Sequence, residues 1–129
     1  MPTVTRWSIK TALGWAAITV FVGLLLTWPG APALPYPTYL HLFTVGWLTN
    51  LIFGVAHWMF PRASVAAPRG DERLAWAGWG ALNAGLILRV VGEVLRGSSS
   101  GAWLVFAAAL QLVAVWIWVA HLWPRVKVR

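Results

Sequence analysis

The hydrophobic pattern of the chain consists of four long apolar stretches, separated by short polar or proline-rich segments. Each stretch holds more than 20 residues. An α-helix of that length crosses the ~30 Å hydrocarbon core of a bilayer. The pattern predicts an all-α fold in which residues 1–129 form a single domain, a four-helix transmembrane bundle. The predicted helices run over residues 8–28, 38–60, 74–95 and 102–123.

The composition agrees with a membrane protein. Hydrophobic residues make up 60% of the chain and charged residues 10%, and the mean hydropathy is +0.71. Soluble domains contain about 45–50% apolar residues. The net charge of +7 does not indicate nucleic acid, because the basic residues lie mainly in loops and tails, where they determine topology. We therefore expect membrane lipid as a partner, no nucleic acid, and most of the 11 tryptophans at the membrane interfaces.

The basic residues are distributed unevenly between the two sides of the predicted bundle. Positively charged loops stay in the cytoplasm, so we expect both termini to be cytoplasmic (N-in and C-in) in a bacterial-type inner (plasma) membrane. One side carries eight basic residues, Arg6, Lys10, Arg62, Arg69, Arg73, Arg125, Lys127 and Arg129, and the other carries Arg89 and Arg96.

The second predicted helix carries two histidines without any formal charge. On a wheel of about 100° per residue, His41 shares its side with the aliphatic residues Val45, Leu48 and Ile52. A histidine above such a wall suits a flat apolar ligand bound through one nitrogen. Because the chain has no cysteine, any iron or other cofactor metal must be held by histidine.

Small residues predict close helix packing on two of the helices. Gly46, Asn50 and Gly54 share the face of the second helix that also carries His57, so His57 is expected to face packed protein. Gly78, Gly85 and Gly92 recur every seven residues along the third helix. Asn83 and Gln111 are expected to bond to neighbouring helices.

The remaining polar residues allow two interpretations each. Arg89 and Glu93, spaced i, i+4, form either a simple intrahelical pair or, with Arg96, a site for an anionic group such as a haem propionate. His57 and His121 are interpreted first as interfacial histidines, and second as ligands of a haem or metal between the second and fourth helices.

The run HLFTVGWLTNLIFGVAHWMFP, residues 41–61, resembles the second membrane helix of the catalytic subunit of haem-copper oxidases, especially of the nitric oxide reductase branch. The resemblance implies that His41 is an axial ligand of haem b, with Gly54, Trp58 and Pro61 matching later positions of the pattern. That subunit consists of twelve helices in three arcs of four. A chain that resembles one arc implies a homo-oligomer, with a trimer favoured, and a respiratory-chain protein as a candidate partner.

The resemblance does not extend to catalysis, because the chain has no further cluster of three histidines for copper. We therefore expect no catalytic residues and a haem b protein that acts in electron transfer or in binding O₂ or NO. Two alternatives stay open: a structural or assembly subunit of a respiratory or photosynthetic complex, and a holder of a chlorophyll-type pigment. The expected cofactor-binding residues are His41, Val45, Leu48, Ile52, Arg89 and Arg96, with His57 and His121 as second choice.

Overall fold

The computed structural model describes residues 1–31, 33–95 and 100–126, and its regular elements in these ranges are all helical. Four of the described segments are long and apolar enough to cross a membrane. This confirms the predicted all-α class and the four spans. They are α1 (Thr3–Leu26), α2 (Tyr36–Met59), α3 (Glu72–Leu95) and α4 (Ser100–Leu122), and α4 continues into a 3₁₀ turn, Trp123–Arg125.

The helices pack as two neighbouring hairpins. α1 lies against α2, and α3 makes the most extensive contact of the bundle with α4. The predicted glycine face of α3 explains this contact, because Gly78, Gly85 and Gly92 all lie against side chains of α4. A Cβ atom added to Gly78 would lie 2.8 Å from Nε1 of Trp118. Trp118 is accordingly buried in the core and is not one of the expected interface anchors, unlike the exposed Trp28 and Trp123.

The contact between α1 and α2, which we call the α1–α2 seam, also depends on glycines, which have no side chain. A Cβ atom on Gly54 would lie 2.6 Å from Cβ of Ser8, and one on Gly46 would lie 2.9 Å from Cγ of Trp15. The two glycines therefore let the α1 and α2 backbones approach closely, as their spacing predicted.

A hydrogen-bonded cluster joins α1, α2 and α3 near the middle of the bundle. Asn50 and Asn83 each donate a side-chain N–H to the other's Oδ1, at 3.2 and 3.1 Å, and Trp15 Nε1 donates to Asn83 Oδ1 at 3.0 Å. The prediction of an interhelical partner is confirmed for Asn83. Gln111 contacts Gly85 through its aliphatic part, and its Nε2 has no partner among the described residues.

Part of α2 is a π-helix, over Leu42–Thr49. Its hydrogen bonds run from residue i to i+5, so each turn holds more residues than an α-helical turn. One side chain follows the same spacing: Thr49 Oγ1 donates to the Thr44 carbonyl. The α-helical wheel that placed His41, Val45, Leu48 and Ile52 in one stripe is therefore wrong for this segment.

Candidate functional site: histidines at the two ends of the bundle

The three histidines lie at opposite ends of the bundle. We call the end where α2 begins and α3 ends the linker end, and the end where α2 ends and α3 begins the basic end. His41 lies at the linker end, four residues before Val45 in the π-helix. His57 and His121 lie at the basic end, in the last turns of α2 and α4.

The hydrogen bond of His41 determines which of its ring nitrogens is free. Its Nδ1 lies 2.6 Å from the carbonyl oxygen of Pro37. A carbonyl oxygen only accepts, so Nδ1 carries the hydrogen and Nε2 of the neutral ring keeps its lone pair. A metal-binding histidine has this same pattern, with one nitrogen donating to a carbonyl and the other facing the metal. The side chain is only partly buried.

A carboxylate and an arginine lie at the same end as His41. Thr38, one turn before His41, donates its hydroxyl hydrogen to Glu93 Oε2 at 2.6 Å. Arg89 Nε donates to Glu93 Oε1 at 3.0 Å. The intrahelical pair is therefore formed, and among the described residues only Nε of the Arg89 guanidinium has a partner. A contact of Arg89 with a ligand stays a prediction, and Arg96 lies outside the described residues.

The aliphatic residues expected below His41 lie in different surroundings. Val45 and Leu48 are partly buried, whereas Ile52 is 60% exposed. Ile52 lines a shallow apolar groove of about 500 Å³ with Leu51, Val55, Ala56, Met59 and Phe60. The groove lies on the outward face of α2, farther from His41 than Val45 and Leu48 are along the helix. The three aliphatic residues that the sequence placed together below His41 therefore have different surroundings: Val45 and Leu48 are partly buried, and Ile52 lines this exposed groove.

At the basic end, the structure brings His57 and His121 into direct contact. His57 Nδ1 and His121 Nε2 are 3.0 Å apart, and the rings are stacked with their centroids 5.1 Å apart. His57 is 0% exposed and His121 6%. The inward orientation predicted for His57 is confirmed. Both side chains are enclosed by protein and bonded to each other, and their depth in a membrane stays a prediction.

Arg125 completes this cluster, and our sequence interpretation missed it. Its side chain is 0% exposed. Its Nη2 donates to the carbonyls of His57 and Phe60, at 2.8 and 2.9 Å, and its Nε donates to that of Pro61 at 3.0 Å. A helix leaves its last carbonyls without partners, and a basic side chain is favourable beside them. Arg125 follows His121 by four residues, about one helical turn, and this spacing could have indicated that the two side chains lie near each other.

A second arginine caps the same end of α2. Nη1 of Arg69, in the loop between α2 and α3, donates to the carbonyl of Trp58. In the sequence, the basic residues of this end indicate only the topology of the chain. Two of them also hold the C-terminal turn of α2 in place.

No protein-family model matches the chain. The comparisons with curated proteins and with solved structures likewise found no match. The functional interpretation therefore depends on the geometry of the two histidine sites.

The geometry of the His57–His121 pair does not suit a haem between the two rings. Two imidazoles that bind a haem iron from opposite faces hold their nitrogens about 4 Å apart, since each metal–nitrogen bond is about 2 Å long. Here the nitrogens are 3.0 Å apart and share a hydrogen. The described residues also contain no group of three or more histidine or carboxylate side chains that could hold a metal ion. His41 is therefore the better candidate for a ligand of iron.

Proposed function

We propose that this protein is an integral membrane haem b-binding protein in which His41 holds the iron, and that it acts in electron transfer or in the binding of O₂ or NO. The observation that carries the proposal is the hydrogen bond from His41 Nδ1 to the Pro37 carbonyl. That bond fixes the ring orientation and leaves the Nε2 lone pair for a metal. Haem b, when bound, supplies an iron that exchanges one electron or takes up a diatomic gas.

The charged residues at the linker end support the same assignment. A haem carries two propionates, and burying carboxylates without nearby cations is costly in a membrane. The Arg89 side chain is 22% exposed. Its Nε holds Glu93, so its two Nη atoms are the groups that would donate to a propionate. Arg96 would supply a second cation for the propionates, and this part of the proposal is based only on its position in the sequence.

The partly open surroundings of His41 support an oligomer, with a trimer favoured. His41 is partly buried in a single chain, and the outward face of α2 continues to the exposed Ile52. A flat macrocycle at His41 would need a cover on its second face, which another copy of the chain would provide. A respiratory-chain protein remains the proposed electron partner, and catalytic turnover is not part of the proposal.

An absorbance spectrum of the purified protein tests the cofactor directly. We expect a haem Soret band that is lost in His41→Ala and kept in the controls His57→Gln and His121→Gln. The protein should stay folded in His41→Ala, because a partly exposed imidazole contributes little packing. Arg89→Gln should keep the band, release haem more readily and shift its potential.

Other spectra would contradict the proposal in distinct ways. A full haem content in His41→Ala would remove His41 as the ligand. A chlorophyll-type spectrum would support the pigment-holding alternative. A colourless protein, purified from cells supplied with haem, would support a structural or assembly subunit.

A further inference from the structure

The histidine pair at the basic end joins three segments that are far apart in the chain. His57 belongs to α2 and His121 to α4. Gly70, in the loop over residues 60–71, lies against the His121 ring, and a Cβ atom added to it would be 3.2 Å from Cε1. Gly70 also has a φ of +74°, a conformation that L side chains rarely adopt. The loop is thus fitted closely onto the pair.

The bond between the two rings depends on their protonation. One nitrogen donates and the other must offer a lone pair, and an imidazolium has no lone pair on either nitrogen. The bond therefore survives when both rings are neutral or when one carries a proton. It cannot form when both rings are protonated.

The surroundings of the pair oppose a second positive charge. The nearby charged groups are Arg125 in the turn after α4 and, in the loop, Arg69 and Asp71. Nη1 of Arg125 lies 3.5 Å from Nδ1 of His57. The buried side chains in the first turns of α1 and α3 include the neutral Val4, Thr5 and Ala75. His57 Nε2 is buried and has no partner among the described residues, so a fully protonated ring would hold an unpaired N–H there.

We propose that His57 and His121 form a proton-operated latch, which fastens the loop over residues 60–71 to the ends of α2 and α4 and releases it when both rings are protonated. In the released state the rings reach water and take up protons, so acid favours release. The closed latch is therefore present at neutral and higher pH and is lost progressively as the pH falls below about 6.5, the ordinary pKa of the exposed rings in the released state. The proposal is independent of haem binding at His41.

Hydrogen–deuterium exchange of the protein in lipid nanodiscs tests the latch. After correction for the intrinsic pH dependence of exchange, protection of the amides in residues 60–71 should fall by about tenfold or more between pH 8 and pH 5.5 in the wild type. His57→Gln and His121→Gln should each remove this pH step, because glutamine does not titrate. His41→Gln is the matched control, and it should keep the step.

A second measurement on the wild type guards against variants that fail to fold. Nitrogen NMR of histidine-labelled protein should show a coupling between His57 Nδ1 and His121 Nε2 at pH 8, and its loss at the pH where the loop is released. Protection that does not change with pH in the wild type would overturn the latch. So would a step that persists in both glutamine variants, a step that disappears in His41→Gln, or two histidines that show no mutual coupling at pH 8.

Discussion

Asn83 bonds to side chains of two other helices near the middle of the bundle. Its Oδ1 accepts from Trp15 Nε1 and Asn50 Nδ2, and its Nδ2 donates to Asn50 Oδ1 and to the Trp79 carbonyl. Three helices thus meet in one cluster. Inside a membrane protein a single such bond contributes little, about 0.6 kcal/mol on average, but removing Asn83 Oδ1 takes the acceptor from Trp15 Nε1 and from one N–H of Asn50 at once.

Replacing Asn83 by leucine should therefore lower the free energy of unfolding by about 1–3 kcal/mol, because Trp15 Nε1 loses its acceptor and Asn50 loses both amide–amide bonds, keeping its bonds to carbonyls of its own helix. Denaturant titration in detergent micelles measures the change. Thr44→Val is the control, since the Thr44 hydroxyl donates to the Leu40 carbonyl of its own helix and the residue is exposed. A loss in Asn83→Leu that simply adds to that of Trp15→Phe in the double variant would contradict a shared cluster.

For individual residues, the sequence predicted the direction in which a side chain faces better than the residue that it contacts. The inward face of His57 follows from glycine and asparagine at helical spacing, which is a local pattern. The position of His121 was not predictable, because Trp116, Trp118 and Trp123 lie on several faces around it and give no clear inward side. Its contact with His57, 64 residues away, depends on how α2 and α4 pack. The burial of Arg125 depends on the same packing.

Among the helices, the α1–α2 seam is the contact most sensitive to an added side chain. The missing Cβ of Gly54 leaves room for Cβ of Ser8, and both atoms belong to rigid helices rather than to flexible side-chain ends. Gly14, on the same α1 helix, has no atom within 4 Å of its virtual Cβ. The two glycines therefore have different roles although both lie within helices.

Gly54→Ala should destabilise the protein by about 1–3 kcal/mol, because the α1 and α2 backbones must move apart to accept the methyl group. Gly14→Ala should be neutral or slightly stabilising, since alanine is the better helix former. Thermal unfolding in micelles compares the two variants. Adding Ser8→Gly should recover part of the stability lost in Gly54→Ala. A similar loss in both alanine variants would show that the seam is not the cause.

At the element scale, the sequence predicted the spans and their glycine faces but not the π-helix. Span length follows from the number of consecutive apolar residues, and close packing follows from small-residue spacing. Neither pattern distinguishes i→i+4 from i→i+5 hydrogen bonding, because the apolar residues of 42–49 fit both. The error matters for the candidate site, since the segment begins directly after His41. The residues that would flank a ligand there must be taken from the structure rather than from a wheel.

The whole molecule is asymmetric in charge along the direction of its helices. Arg62, Arg69 and Arg73 lie at the basic end with Arg125, and Arg6 and Lys10 lie in the first turns of α1. At the linker end the described residues include one basic side chain, Arg89, which is paired with Glu93. The apolar composition of the helices predicted the four spans. It does not give their direction across a membrane, which is predicted from the uneven distribution of basic residues.

We predict that the basic end lies in the cytoplasm, because short loops rich in arginine and lysine are retained there while the uncharged linker is translocated. The chain contains no cysteine, so a single introduced cysteine reports one position without any background. Val65, in the loop of the basic end, and Ala33, in the linker, are both exposed and suit such substitutions. In intact cells an impermeant thiol reagent should label Ala33→Cys but not Val65→Cys, and both should be labelled after lysis. The reverse pattern would place the termini outside. It would also place the proposed latch on the outer surface, where the pH that operates it would be that of the surroundings.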